Sequence, residues 1–300
     1  MFQKDEFYGF LVKGDLPGAI HYLKGFPDQE KRYQKYKALF EDGQLLHYDV
    51  DPALQQILDV YQKYYHDVFY LQAAPEAAEE TMLERFSALF GLEMSGGLHD
   101  AAEEKIMEAF TSKGYHILCG KTGGYFGPYI WKNTEVKTYK VELPDGMQTY
   151  TIHFLDGFLC KSWLDYISFG DVGTGGWTDG DGIINCVRAS YNVESENFRV
   201  SLLKHEAQHA MDLSRFPSMD SQDLEYRAKL VELIYSEERS MLEQFRREAD
   251  ASRAANGHSM AASRIAAEFC GVSGIPAIQR RALEFLGKSD SEMVQKYSSL

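Results

Sequence analysis

Two histidines four residues apart, with a glutamate directly after the first, stand in the stretch Leu202-Leu203-Lys204-His205-Glu206-Ala207-Gln208-His209-Ala210-Met211-Asp212. The stretch has helical spacing, and in a helix residues four apart share a face, one turn apart. His205 and His209 can then aim two imidazoles at one metal ion. Glu206 leans to the same side, within reach of a water on that ion. Imidazole nitrogens suit Zn2+, and His-Glu-x-x-His on a helix is the pattern of zinc-dependent peptide hydrolysis with the glutamate as general base.

A catalytic zinc site takes three protein ligands and keeps one position open. A His or Asp six residues after His209 would complete a metzincin pattern. Arg215 stands there, and Asp212 stands where that pattern has Gly, so the class is excluded. The next helical stretch offers Asp223, Glu225, Glu232, Glu237 and Glu238. Glu225 opens Leu224-Glu225-Tyr226-Arg227-Ala228-Lys229-Leu230, with the small Ala228 three residues on, which lets that helix pack closely on the first. Glu232 is its main rival as third ligand.

Over residues 180–235 this arrangement resembles the gluzincin peptidases, the thermolysin-like class with His-Glu-x-x-His on one helix and a Glu ligand on the next. That family often shows Glu-x-x-Ala-Asp at the third ligand; Glu225 and Ala228 match, and Lys229 replaces the Asp. The replacement leaves the outer partner of one histidine unassigned, with Asp212, one turn beyond His209, as a stand-in. The resemblance implies that zinc polarises the scissile carbonyl while Glu206 carries a proton from water to the leaving amine. It also implies an oxyanion donor, for which Tyr191, Tyr226, Tyr235 and Arg227 are available. It makes strand 182–189 the edge that binds extended substrate, with loop 173–182 rimming the cleft.

The elements that must position these groups are legible from punctuation and period. Residues 1–112 read as helical. Gly14-Asp15-Leu16-Pro17-Gly18 starts one helix, Asp51-Pro52 another, Pro75 a third running to Leu92, and His99 a shorter fourth ending near Ser112. Their aromatic stripes read as helix core. From Gly114 the composition turns to Gly, Thr and β-branched residues. Glu135–Leu143 and Gln148–Leu155 alternate around Pro144-Asp145-Gly146 as a hairpin. The His-Glu helix starts near Ser195 to Asn197 and ends before Pro217. One long helix is expected over 220–251, broken by Asn256-Gly257. Two more follow, over 259–270 and 276–286, and the polar tail beyond Gly287 is expected to fray.

Bulk properties bound the rest. Three hundred residues with 44% hydrophobic and 25% charged content suit a folded chain with a sizeable core. A net charge of −14 argues against nucleic-acid binding and against docking on anionic membranes. No apolar run reaches membrane-spanning length and no leader is visible, so a cytoplasmic location is expected. Cys119, Cys160, Cys186 and Cys270 form no C-x-x-C pair and read as unpaired thiols. Cys186 lies upstream of the motif, as a peptide deformylase ligand would, but the signature around it is missing. Asp179-Gly180-Asp181-Gly182 reads as a turn rather than a calcium loop. His21, His47, His66, His99, His116, His153 and His258 have no partner spacing and read as structural or surface residues.

The expectation is an α+β, mostly helical chain: a helical region over 1–112, then a metallopeptidase-like domain over 113–300. That domain comprises a small antiparallel β lobe (113–194), a zincin-type active-site helix (195–214) and a C-terminal helical lobe (215–300). His205, His209 and Glu225 are the expected Zn2+ ligands and Glu206 the general base. The expected partner is a peptide or protein substrate, with a protein partner for the N-terminal helices also in view. The competing expectation is a non-catalytic interaction or scaffold protein with a structural or degenerate metal site.

Overall fold

The structure is a computed structural model that describes residues 2–93, 97–178, 182–250 and 257–297; the expected turn at 179–181 and the break at Asn256 lie outside them. The fold is α+β and mostly helical. It divides into two compact units, Met1–Asn133 with Gly157–Thr174, and Thr134–Asp156 with Gly175–Leu300. The stretch 113–194, expected as one lobe, thus contributes to both units.

The first unit carries α1 (Lys4–Val12), α2 (Leu16–Lys24), α3 (Glu30–Tyr36), α4 (Pro52–Tyr65), α5 (Pro75–Phe90), α6 (Leu98–Thr111) and α7 (Ser162–Ser168). Its short strands are β1 (His116–Leu118), β2 (Lys121–Thr122), β3 (Tyr125–Phe126), β4 (Tyr129–Trp131) and β7 (Cys160–Lys161). Helix starts fall where the punctuation puts them. The Asp15 carboxylate accepts from the Gly18 N–H at 2.8 Å and that of Asp51 from Ala53 at 3.0 Å. Each satisfies an N–H that the first helical turn leaves without a partner. The aromatic stripes are core, as expected: Phe7, Tyr36, Phe40, Tyr61, Tyr64, Tyr65, Phe69 and Phe86 are buried in one cluster.

The second unit is a four-stranded sheet packed with helices. The expected hairpin is present as β5 (Asn133–Leu143) and β6 (Gly146–Asp156), turning at Gly146, whose φ of 115° a side-chain-bearing residue rarely adopts. After the passage through the first unit come β8 (Gly176–Thr178) and β9 (Ile183–Val187). The order is β5-β6-β9-β8, with β9 parallel to β6 and antiparallel to β8. The 182–189 strand is therefore interior, and the expectation that it is a substrate-binding edge fails. Strand β8, in a Gly-rich run that read as a loop, takes the outer place. Gly176 permits this: a Cβ there would lie 2.6 Å from the Asn185 carbonyl oxygen and 2.5 Å from Leu202 Cδ1.

The remaining elements are α8 (His205–Arg215), α9 (Ser221–Tyr235), α10 (Ser240–Glu248), α11 (Gly257–Glu268) and α12 (Ile275–Tyr297). The long helix expected over 220–251 is broken at Ser236. Its hydroxyl donates to Glu196 Oε1 at 2.6 Å and accepts from the Glu238 N–H at 3.1 Å, and its backbone turns to ψ 134°. A tertiary partner ends the helix without Gly or Pro. The tail expected to fray is helical to Tyr297, because Ser289, Met293 and Tyr297 are buried at four-residue spacing and Lys296 pairs with Asp220 and Asp223 at 2.8 and 2.7 Å. Among the described residues no helix is long and apolar enough to cross a membrane.

A buried ion pair locks α8 to α9. Arg227 Nε donates to Asp212 Oδ2 at 2.8 Å, both side chains being essentially inaccessible, and Gln208 Nε2 donates to the same oxygen at 2.9 Å. Removing one partner strands a buried charge, which typically costs 3–5 kcal/mol. Asp212→Ala is expected at about 3 kcal/mol, the low end, because Ser289 and Asp290 still hold the other guanidinium nitrogens. Urea denaturation checks this; a change below about 1 kcal/mol would mean that the pair is solvated.

Candidate metal centre

The motif helix is built as its residues demand. The Ser195 hydroxyl accepts from the Phe198 N–H at 3.2 Å and caps it. The helix is wide over Asn197–Lys204, where the His205 N–H reaches back five residues to the Val200 carbonyl, and tightens into α8 at His205 itself. Such wide turns often mark functional positions. Phe198, Leu202, Leu203, Ala207 and Ala210 bury the opposite face in the core that includes Ile152, Phe154 and Ile184 of the sheet, and Tyr150 of β6 donates its hydroxyl to the Ala207 carbonyl at 2.9 Å.

His205 and His209 lie side by side, ring centroids 4.5 Å apart and planes at 86°. Glu225, on the second turn of α9, meets both: Oε2 is 3.5 Å from His205 Nε2, and Oε1 is 3.5 Å from His209 Nε2. One ligand atom from each of the three lies within 4.8 Å of the others. Atoms held tetrahedrally at about 2.0–2.2 Å from Zn2+ stand about 3.3–3.6 Å from one another. Each imidazole nitrogen lies at that spacing from one Glu225 oxygen, His205 from Oε2 and His209 from Oε1, and two imidazoles with one carboxylate are a donor set that suits Zn2+. The residues fit a metal of this kind.

Glu232 explains what Lys229 left open. His205 Nδ1 is 2.7 Å from Glu232 Oε1, so the proton on Nδ1 is donated to that carboxylate and Nε2 faces the ligand cluster. Seven residues from Glu225 is two helical turns, so Glu232 lies on the same face of α9. Lys229 is rotated away, its Nζ 3.0 Å from Glu248 and 4.1 Å from the Phe245 ring centre. The rival third ligand is thus the histidine's outer partner. Asp212, the stand-in for that role, is committed to Arg227 and Gln208. Among the described residues, His209 Nδ1 is buried without a hydrogen-bond partner.

Other expectations sort by contact. Asp223 is held by Lys296 and Tyr297 at 2.7 and 2.9 Å, away from the cluster. The Tyr226 hydroxyl donates to Glu268 at 2.6 Å, Arg227 serves the buried pair, and Lys204 sits 3.6 Å over the Tyr235 ring. Of the four oxyanion candidates, Tyr191 is the one that feels the motif: burial, then Cys186, Glu206 and Glu232, push its phenol up to about 12. Cys186 is fully buried in the sheet core, and burial raises its thiol to about 12, as an unliganded thiol. Glu206 is half-buried on the first turn of α8.

One residue at the cluster was missed. His258, on the first turn of α11, places Nδ1 2.7 Å from Glu225 Oε2, with its ring 6.3 Å from that of His205 and inclined by 17°. It lies 49 residues beyond His209, and no spacing rule connects them.

Charge reinforces the geometry. Burial alone would lower the His205 pKa, but Glu232 and Glu225 more than reverse this and hold it well above an ordinary histidine. Burial would raise Glu225, yet His205, His209 and His258 hold it well below the usual carboxylate range. At pH 7 the metal-free protein therefore carries a proton on His205 that a metal must displace. Zinc loading is expected to release about one proton from this site, with affinity falling about tenfold per pH unit on acidification. Calorimetric titration in two buffers of different ionisation enthalpy measures this, and zero release would contradict it.

Compared with known proteins, the chain matches no family model, no curated protein and no solved structure.

Proposed function

We propose that the second unit is a zinc-dependent peptide-bond hydrolase of gluzincin type. The observation that carries this reading is the convergence of His205, His209 and Glu225 on one point, with Glu232 fixing the His205 tautomer. A Zn2+ ion held there would act as a Lewis acid and make water acidic enough to attack at neutral pH.

The chain's own residues supply the rest. Glu206, next to His205 on the cluster's helix, takes the proton from the attacking water and returns it to the departing amine. Tyr191 donates to the oxygen of the scissile carbonyl as charge develops on it; its hydroxyl stays protonated because burial and the neighbouring carboxylates raise its pKa. Glu232 holds the Nδ1 proton of His205, so that Nε2 is the nitrogen that gives up its proton to take the metal. The substrate is a peptide or protein segment.

The test is metal content together with cleavage. The purified protein is expected to hold one Zn2+ per chain by mass spectrometry of the element and to cleave members of a quenched-fluorescent peptide library. A chelator should stop cleavage and added zinc restore it. Stoichiometric zinc with no cleavage of any library member would favour a structural site instead.

A further inference from the structure

His258 and Gly257 were unconnected to the motif in the sequence, yet they meet it. Gly257 is buried, and a Cβ on it would lie 2.8 Å from the Ser221 carbonyl oxygen and 2.9 Å from its hydroxyl. Only a bare Cα lets the first turn of α11 come this close to the first turn of α9. Ser221 is one turn before Glu225, so this contact sets His258 at the height of the Glu225 carboxylate, 2.7 Å from Oε2. The imidazole is otherwise 63% exposed, and its Nδ1 lies nearer to Glu225 Oε2 than His205 Nε2 does, which is 3.5 Å away. A carboxylate with both oxygens free can bind a metal through either or both, and binding through both would fill the position that a water needs.

The geometry points to His258 as the positioning residue of Glu225: its Nδ1, at ion-pair distance, occupies Oε2, so that the glutamate offers the metal a single oxygen. This rests on the reading of the cluster as a metal centre. Groups that hydrogen-bond a ligating carboxylate fix its direction, and losing them typically costs 10–100-fold in metal affinity. Gly257 serves the same end through the helix contact, and His258 acts on the metal only through Glu225.

The experiment is Zn2+ competition against a chromophoric chelator, using wild type, His258→Ala, His258→Asn and Gly257→Ala, with Co2+ absorption as a second readout. His258→Ala is expected to bind Zn2+ about 10–100-fold more weakly. The Asn variant, whose amide N–H falls close to the position of Nδ1, should recover most of that loss. Gly257→Ala should lose affinity in the same direction with its circular dichroism unchanged. The Co2+ bands of wild type should be intense, as for four-coordination, and weaken in His258→Ala as the released oxygen joins the metal. Wild-type affinity and an unchanged Co2+ spectrum in His258→Ala overturn the inference and leave the zinc reading intact. A loss far beyond 100-fold that Asn does not rescue overturns it as well, because His258 would then be a ligand itself. A wild type that takes up no metal overturns both this inference and the reading on which it rests.

Discussion

Glu206→Gln is expected to bind zinc with wild-type stoichiometry and to cleave peptides at least about 10²-fold, and up to about 10⁴-fold, more slowly, the range that a positioned general base contributes. The substitution keeps the shape and polarity of the side chain and removes its ability to take a proton. Nothing else at the cluster should move. The proposed donors are His205, His209 and Glu225, and the opposite face of the helix is anchored by Ala207, Ala210 and the Tyr150 hydroxyl. Metal analysis and steady-state kinetics on the same preparation separate the two outcomes. Turnover within tenfold of wild type would remove Glu206 from the reaction, and loss of zinc would make it a ligand rather than a base.

The legible parts of this chain are those whose cause is local. Helix starts were readable because Asp15 and Asp51 cap their own helices and Pro17, Pro52 and Pro75 sit in first turns. The hairpin was readable because Gly146 supplies a positive φ between two alternating runs. The convergence of His205, His209 and Glu225 was readable because two of the three are one helical turn apart and the third follows one helix later. What escaped has distant causes. Nothing near Ser236 announces a break; Glu196, 40 residues upstream, makes it. The tail stays helical because Asp220 and Asp223 hold Lys296, more than 70 residues away. Strand 182–189 read as an edge because β8, its outer neighbour, hides in a glycine run. His258 reaches the cluster through a helix–helix approach that only Gly257 betrays. Glu232 was within reach: seven residues from Glu225 is two turns of one face, and the resemblance drew attention to the fourth residue instead.

Glu225 and Glu232 offer the sharpest separation, because both are carboxylates of α9 that face His205, Glu232 buried and Glu225 partly so, yet one is proposed as ligand and the other as outer partner. Four-ligand zinc sites gather about 10–16 kcal/mol. Losing one donor should then remove about a quarter of such a sum, so Glu225→Ala is expected to weaken Zn2+ binding about 10²–10³-fold. Glu232→Ala should cost about 10–100-fold, because His205 keeps Nε2 but loses the group that fixes its tautomer and raises its basicity. A second difference follows from protons. Glu232 is the main group raising the His205 pKa against the effect of burial. Without it, the His205 pKa of the metal-free protein should fall, and proton release on zinc loading should fall with it. Chelator competition and two-buffer calorimetry on the same variants read both quantities. If Glu232→Ala loses more affinity than Glu225→Ala, the ligand and its outer partner exchange places. If both variants keep wild-type affinity, the cluster is an ion-pair network and holds no metal.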